Sequence, residues 1–438
     1  MNCSGTTCDS TAASGPQASS VLRQPGGDGG ARQPCCRFCG AVLRHTFIDL
    51  GMSPLCESYV SAERQDCMEP FYPLHVRVCE QCLLVQLPEY VRAAEIYTEY
   101  AYFSSYSTSW VDHARRYVDM VTERFGLNDK SQVVELASND GYLLQHFVAK
   151  GIPVLGIEPA VNIAEAALKK GIPTVARFFG QETAKELASR CRPNLLLGNN
   201  VLAHVPDIND FVEGMRILLP PEGIITMEFQ HLMRLMDGNQ FDTIYHEHYS
   251  YLSFLVVERI FSAHGLTIFD VEELGTHGGS LRIFACHDGQ RPVGDSVRAI
   301  RQMEEQAGFT NLAHYFTFAE QVKQAKWALL EFLIAARRAG KTVAGYGAPG
   351  KGNTLLNYCG VRTDLLEYTV DRNPYKHGKF LPGTRIPIFA PERIQETRPD
   401  YLLILPWNLK DEIMSQMRSV REWGGRFVVP IPRVEVFD

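Results

Sequence analysis

Residues 132–141 read QVVELASNDG. The first half, 132–137, is a short apolar run with two adjacent β-branched valines, which predicts a buried strand. The second half, Ser138-Asn139-Asp140-Gly141, is small and polar throughout and predicts a turn. A helical stretch follows at 142–149, then a second strand at 154–157 that ends on Glu158 and Pro159. Strand, turn, helix and strand in that order build a mostly parallel sheet with crossover helices.

The same alternation continues along the chain. A short strand is expected at 174–176, and another at 194–197 leads into Gly198-Asn199-Asn200-Val-Leu-Ala-His204. A fifth follows at 223–228, and strand-like runs at 266–271 and 280–286 close the set. Seven strands with a reversed final pair predict an α/β fold, the Rossmann-like sheet of a class I methyltransferase.

The turn after the first strand chooses between cofactors. A dinucleotide needs GxGxxG so that the backbone can approach a pyrophosphate, whereas ELASNDG has one glycine and places Glu135 and Asp140 where phosphates would be repelled. Acids suit a cofactor with no phosphate and a cationic end, such as S-adenosylmethionine. Glu158 lies at the usual interval beyond the turn for a ribose-gripping acid. The expected cofactor residues are therefore Glu135, Ser138, Asn139, Asp140, Gly141, Glu158, Pro159, Asn199 and Asn200. The bland alternative, that Asn139-Asp140-Gly141 is only a favourable turn, loses ground because Glu158 and Asn199-Asn200 lie at two other strand ends.

A chain of 438 residues is too long for one core, so about two or three domains are expected. Its net charge of −7 offers no basic field for a nucleic acid. No run reaches the roughly eighteen apolar residues that span a bilayer, and we read the chain as cytoplasmic, without membrane or nucleic-acid partners. Residues 1–34 are poor in large apolar side chains and predict a disordered tail in which Cys3 and Cys8 are idle.

Twelve cysteines in a long cytosolic chain argue against a disulfide framework. Four of them form two CxxC pairs, Cys36/Cys39 and Cys79/Cys82, about forty residues apart. Two such turns complete the tetrahedral sulfur shell that zinc prefers, with no position left open, so the metal is structural. Cys35 stands beside Cys36 but breaks the spacing. The competing readings are four unrelated thiols or a redox pair, and neither pair opens a helix after a strand as a redox motif does. The zinc staples a module, residues 35–92, that has little core of its own.

Beyond the sheet, 295–338 carries a long helical period that includes Tyr315, Phe318, Val322 and Ala325. A strand at 342–346 runs into Gly347-Ala-Pro349-Gly-Lys351-Gly-Asn353-Thr, which resembles a phosphate-cradling turn but not a Walker sequence. Later strands at 366–370 and 401–405 end on Asp371 and on Pro406-Trp407-Asn408. Gly347, Pro349, Lys351, Asn353 and Asp371 are the expected substrate contacts; the alternative is that the glycines serve packing alone.

Residues 241–251, FDTIYHEHYSY, place His246, Glu247 and His248 among three tyrosines. Alternate residues could share a face, but no third ligand is signalled nearby, so a non-metal base fits better. His246, His231 and His277 suit buried, hydrogen-bonded rings and are left out of the site. Tyr97, Tyr100, Tyr102 and Tyr106, with Ser104 and Ser105, are either a linker packed on the sheet or a lid over the cofactor.

Taken in order, the paired CxxC, YFSSYS at 102–107, ELASNDG, GIEP, NNVLAHVPD, YHEHYSYLS, HGGSLR at 277–282 and GYGAPGKGNTLLNY at 345–358 resemble one family. It is the S-adenosylmethionine-dependent C-methyltransferases of nucleotide-linked deoxy-ketosugars, of the kind that methylate C-3 of dTDP-4-keto sugars. The resemblance spans nearly everything from Cys36 onward. It implies a zinc-binding module, a class I methyltransferase domain at 93–290 and a Rossmann-like domain at 291–438 holding the sugar nucleotide. It favours the lid, adding Tyr102 and Ser104 to the cofactor contacts. It also implies His248 as the base, which carries with it Glu247 either orienting a ring or accepting a sugar hydroxyl, Tyr245 as donor toward an enolate oxygen and His204 as a further candidate. The expected partner is a ketosugar nucleotide, and the protein a monomer. Rival readings are an O- or N-methyltransferase, a nicotinamide-dependent sugar-nucleotide oxidoreductase and a zinc-finger interaction protein.

Overall fold

A computed structural model describes residues 33–97 and 103–438. The tail expected at 1–34, apart from its last two residues, lies outside the described residues, as do Cys3, Cys8, Tyr100 and Tyr102. No helix among the described residues is long and apolar enough to cross a membrane.

Three sheets organise the chain. The first begins with strands β1 (His45–Ser53), β2 (Tyr72–Val78) and β3 (Val85–Gln86), all antiparallel. The second contains β4 (Val133–Leu136), β5 (Val154–Ile157), β6 (Thr174–Val175), β7 (Leu195–Asn199) and β8 (Ile224–Gln230). A two-residue strand, β9 (Ser250–Tyr251), then leaves this domain and pairs antiparallel with β3, so the first sheet runs β1-β2-β3-β9. β10 (Leu266–Leu274) and β11 (Ser280–His287) return to the second sheet, whose order is β10-β11-β8-β7-β4-β5-β6.

In that seven-stranded sheet β4 to β8 are parallel, β11 is antiparallel to β8, and β10 is antiparallel to β11. The reversed final pair is present as expected. Every residue of β4 is buried, as a central strand covered by helices on both faces requires. The chain leaves β4 for β5 on one side and resumes at β7 on the other, so a crevice opens between β4 and β7 at their C-terminal ends. Ala137, Asn139 and Asn200 all take positive φ at this edge. Non-glycine residues hold that conformation only where their surroundings impose it, which is common at ligand sites.

The third sheet contains β12 (Val343–Tyr346), β13 (Thr369–Val370), β14 (Ile388–Phe389), β15 (Tyr401–Ile404), β16 (Arg426–Val429) and β17 (Glu435–Phe437). Its order is β14-β13-β12-β15-β16-β17, parallel except for β17. The helix expected over 295–338 is three helices, Asp295–Ala307, Leu312–Tyr315 and Phe318–Arg338. Gly308, at φ +96, caps the first in a left-handed turn, and the Asn311 side chain accepts from Ala313 N to start the next. The break turns Phe318 onto Phe47 of β1, the two rings stacked at 5.0 Å.

Pro34–Asp438 forms one compact unit. The segment between β1 and β2 lies on the third sheet's domain: Asn353 Nδ2 donates to Cys56 O at 2.6 Å, Arg385 pairs with Glu69 at 2.8 Å, and Val60 bridges Phe380.

Candidate active site and metal centre

The two CxxC turns meet as their spacing predicts. The sulfurs of Cys36, Cys39, Cys79 and Cys82 lie within 4.8 Å of one another, with Cys36–Cys82 and Cys39–Cys79 at 3.5 Å. Zinc–sulfur bonds of about 2.3 Å in a tetrahedron put the sulfurs about 3.8 Å apart, so the cluster fits that ion. Gly40 and Leu83, at φ +75 and +64, close the two knuckles. Cys35 is exposed and outside the cluster. Arg37, inside the first knuckle, donates to the carbonyls of Pro206 and Leu87, while Asn209 donates to Arg37 O and Phe38 O. The metal turn is thereby tied to the loop that carries His204.

A cavity of about 720 Å³ opens at the crevice edge of the seven-stranded sheet and reaches the third sheet's domain. One wall is the segment 241–251. A 3₁₀ turn, Phe241–Thr243, and a tight turn in which His248 N donates to Tyr245 O interrupt the extended chain. The alternation that would put His246 and His248 on one face is therefore broken. His246 points away, its Nε2–H donating to Pro73 O at 3.2 Å, while Tyr245, Glu247 and His248 line the cavity. His246 is thus a buried, hydrogen-bonded ring, as expected.

His248 Nδ1–H donates to Thr243 O at 2.8 Å, which fixes the tautomer and leaves the Nε2 lone pair to the cavity. Burial, then the neighbouring His204, pushes its pKa well below the ordinary value, so the ring is neutral. His204 stands edge-on at 4.7 Å, its Nδ1 2.7 Å from Tyr97 Oη, and burial brings it down to about 4. The Tyr245 ring lies 4.0 Å from His248, and burial holds its hydroxyl protonated. Glu247 receives the thiol of Cys56 at 3.8 Å.

At the cofactor end, Glu158 accepts from Asn139 N at 3.0 Å and Ala160 N at 2.9 Å, and burial raises its pKa to about 6. Ser104 N donates to Asn139 Oδ1 at 2.9 Å. Ser104, Asn139, Glu158, Pro159, Asn199 and Asn200 line the cavity. Asn199 Nδ2 is buried and has no partner among the described residues, which suits a ligand acceptor.

Four expected cofactor residues do not line it. Glu135 lies inside β4 with both oxygens buried, and burial keeps it protonated well above the usual range. Ser138 is fully buried against Gly156. Asp140 pairs with Lys170 at 2.7 Å and accepts from Ser105. Gly141 sits at φ +77, a left-handed conformation that favours glycine, and a Cβ there would also stand 2.2 Å from the end of the Ile172 side chain.

Of the substrate residues, Pro349 and Lys351 line the cavity and Gly347, Asn353 and Asp371 do not. A Cβ on Gly347 would stand 2.5 Å from Pro406, and one on Gly352 3.1 Å from Leu405, so these glycines serve packing. Asp371 accepts from Ala348 N and Asn373 N and so shapes the loop. Lys351 donates to Asn408 at 2.9 Å and lies over the Trp407 ring.

Sequence reasoning missed Cys56 and Glu57, which reach the cavity from the zinc module, and also Trp110 and His277. No spacing could have signalled the first two. For His277 the signal was the pair of glycines after it.

The crevice between β4 and β7 and the reversed strand pair define the fold of a class I S-adenosylmethionine-dependent methyltransferase. Residues 36–97 match the family described as "Putative zinc binding domain", 110–271 the "Methyltransferase domain" and 275–432 the "C-methyltransferase C-terminal domain". The chain is 37% identical over 405 residues to the C-methyltransferase NovU of Streptomyces niveus, covering 92% of this chain and 96% of that protein. It belongs to the C-methyltransferase family. A ubiquinone biosynthesis O-methyltransferase of Rhodopseudomonas palustris (strain TIE-1) is 27% identical over 151 residues, 30% of this chain and 60% of that protein. Magnesium protoporphyrin IX methyltransferase from Synechocystis PCC 6803, solved with bound S-adenosylmethionine, is 14% identical over 44% of this chain and 89% of that chain, with a TM-score of 0.32.

Proposed function

We propose that this C-methyltransferase acts on a nucleotide-linked, dTDP-type keto-deoxysugar, with His248 removing the α-proton. The observation that carries the reading is the state of His248: neutral, anchored through Nδ1, with Nε2 facing the cavity. A carbon next to a ketone needs such a base before it can be methylated, whereas an oxygen or nitrogen acceptor needs less help.

The proton goes from the α-carbon to Nε2, and the C–H electron pair passes to the ketone oxygen as an enolate. Tyr245 O–H donates toward that oxygen. Glu247 takes a sugar hydroxyl and His204 packs the base in place. Glu158 takes the ribose hydroxyls of the cofactor, with Ser104, Asn139, Pro159, Asn199 and Asn200 around it. When bound, S-adenosylmethionine supplies a methyl group on a sulfonium sulfur. Lys351 lines the cavity, its charge bears on His248, and it suits the substrate's diphosphate, whose charge raises the His248 pKa toward working pH.

The test is to incubate the protein with dTDP-4-keto-6-deoxy sugars in heavy water, with and without S-adenosylmethionine. Exchange of the α-proton that falls by about 10²- to 10⁴-fold in His248→Gln is expected. Methyl transfer to oxygen or nitrogen without exchange would overturn the reading.

A further inference from the structure

Two strained residues face each other across the cavity edge. His277 takes φ 54 and ψ 21 at the tip between β10 and β11, and Asn200 takes φ 55 just past β7. Left-handed backbone at residues other than glycine is costly and persists only where neighbours enforce it. The enforcement is visible. Asn200 N donates to Glu228 O at 2.7 Å, and Thr276 Oγ1, next to His277, donates to Glu228 Oε1 at 3.0 Å. Glu228 is fully buried and held by Arg282 at 2.7 Å and His113 at 2.9 Å. Gln240 Nε2 donates to Gly278 O at 2.7 Å, and the Trp110 ring packs edge-on against His277 at 4.9 Å while stacking on His113. A buried ion network, two aromatic contacts and two glycines thus converge on the orientation of one imidazole.

That orientation has a chemical consequence. An amide nitrogen can only donate, so Asn200 Nδ2 donates to His277 Nε2 at 3.2 Å. In a neutral ring the proton then sits on Nδ1. Burial does keep the ring neutral, with its pKa brought down to about 4. His277 lines the same cavity as His248 and Lys351 and has no hydrogen-bond partner for Nδ1 among the described residues. The two rings are poised in opposite senses: His248 offers a lone pair, His277 an N–H.

We propose that His277 is a second catalytic donor, its Nδ1–H hydrogen-bonding the ketone oxygen of the substrate as negative charge develops there, with Asn200, Thr276 and Glu228 as positioning residues. A donor that is already oriented pays no reorganisation when the enolate forms. The inference rests on the ketosugar reading above.

The experiment compares the wild-type protein with His277→Ala and His277→Asn, reading α-proton exchange without cofactor, methyl transfer, and cofactor affinity by calorimetry. Asn tolerates the left-handed backbone and keeps a donor. Loss of about 10²- to 10³-fold in both exchange and kcat is expected for His277→Ala, with cofactor affinity unchanged and partial recovery in His277→Asn. Exchange at the wild-type rate in His277→Ala, or a fall in cofactor affinity with exchange intact, would overturn the proposal. If His277→Ala does not fold, nitrogen-15 spectra of the wild-type ring decide, assigned through His277→Asn: the Nδ1–H tautomer supports the proposal and the Nε2–H tautomer defeats it. Failure of the wild-type protein to exchange any ketosugar proton is a different result, which removes the ketosugar reading and this inference with it.

Discussion

In the proposed reaction His248 must be neutral to accept a proton, and burial holds its conjugate acid well below the ordinary imidazole range. kcat/KM, which reports the free enzyme, is expected to stay level as pH falls through about 6.5. An acid limb centred there and missing from His248→Gln would show the ring titrating as it does in water. The same desolvation acts on stability. His204, His246 and His277 are all brought down to about 4. Their unfolded value is about 6.5, so between these pH values the unfolded chain binds protons that the folded chain refuses, and stability falls as pH falls. His246 is away from the cavity, and His246→Gln keeps a donor for Pro73 O. Its Tm should drop less steeply than that of the wild-type protein between about pH 6.5 and 4; parallel curves would remove His246 from the account.

At the scale of elements, the turn after β4 does two jobs that its sequence merged. QVVELASNDG was legible as strand and turn because buried valines and small polar residues have few other uses. Which side chains of the turn face a ligand was not legible, since that depends on the rotation of each residue against neighbours far along the chain. Asn139 faces the cavity, while Gly141 fills a place set by Ile172 beyond the next strand. Gly141→Ala combines positive φ with that clash and should cost about 1–3 kcal/mol, seen as a lower urea midpoint at unchanged m-value. An unshifted midpoint would mean the turn relaxes freely. The long helical period at 295–338 was legible too, but Gly308 was passed over within it, and one left-handed residue was enough to split the helix.

Across the whole molecule, one sheet joins the zinc module to the segment that carries His248. β9, at the end of segment 241–251, pairs with β3 of the zinc module, and Arg37 between two metal-binding cysteines holds the carbonyl of Pro206 beside the His204 loop. Arg37→Ala should therefore keep its zinc, measured by a chelator-indicator titration, yet lower kcat by about tenfold, the worth of a charged hydrogen bond of about 1.5 kcal/mol. Full activity with full zinc would confine the module to a structural role.

The sequence by itself determined the elements and part of their chemistry: a methyltransferase sheet from the period of its strands, and a four-sulfur metal shell from two CxxC pairs. These are properties of residues close together in the chain. Only the tertiary structure decided that Cys56 and Glu57 of the zinc module line the cavity, that His246 turns away while His248 enters, and that His277 joins it. Each of those depends on strand pairing and burial between segments as much as about two hundred residues apart, and packing alone sets which way a side chain faces.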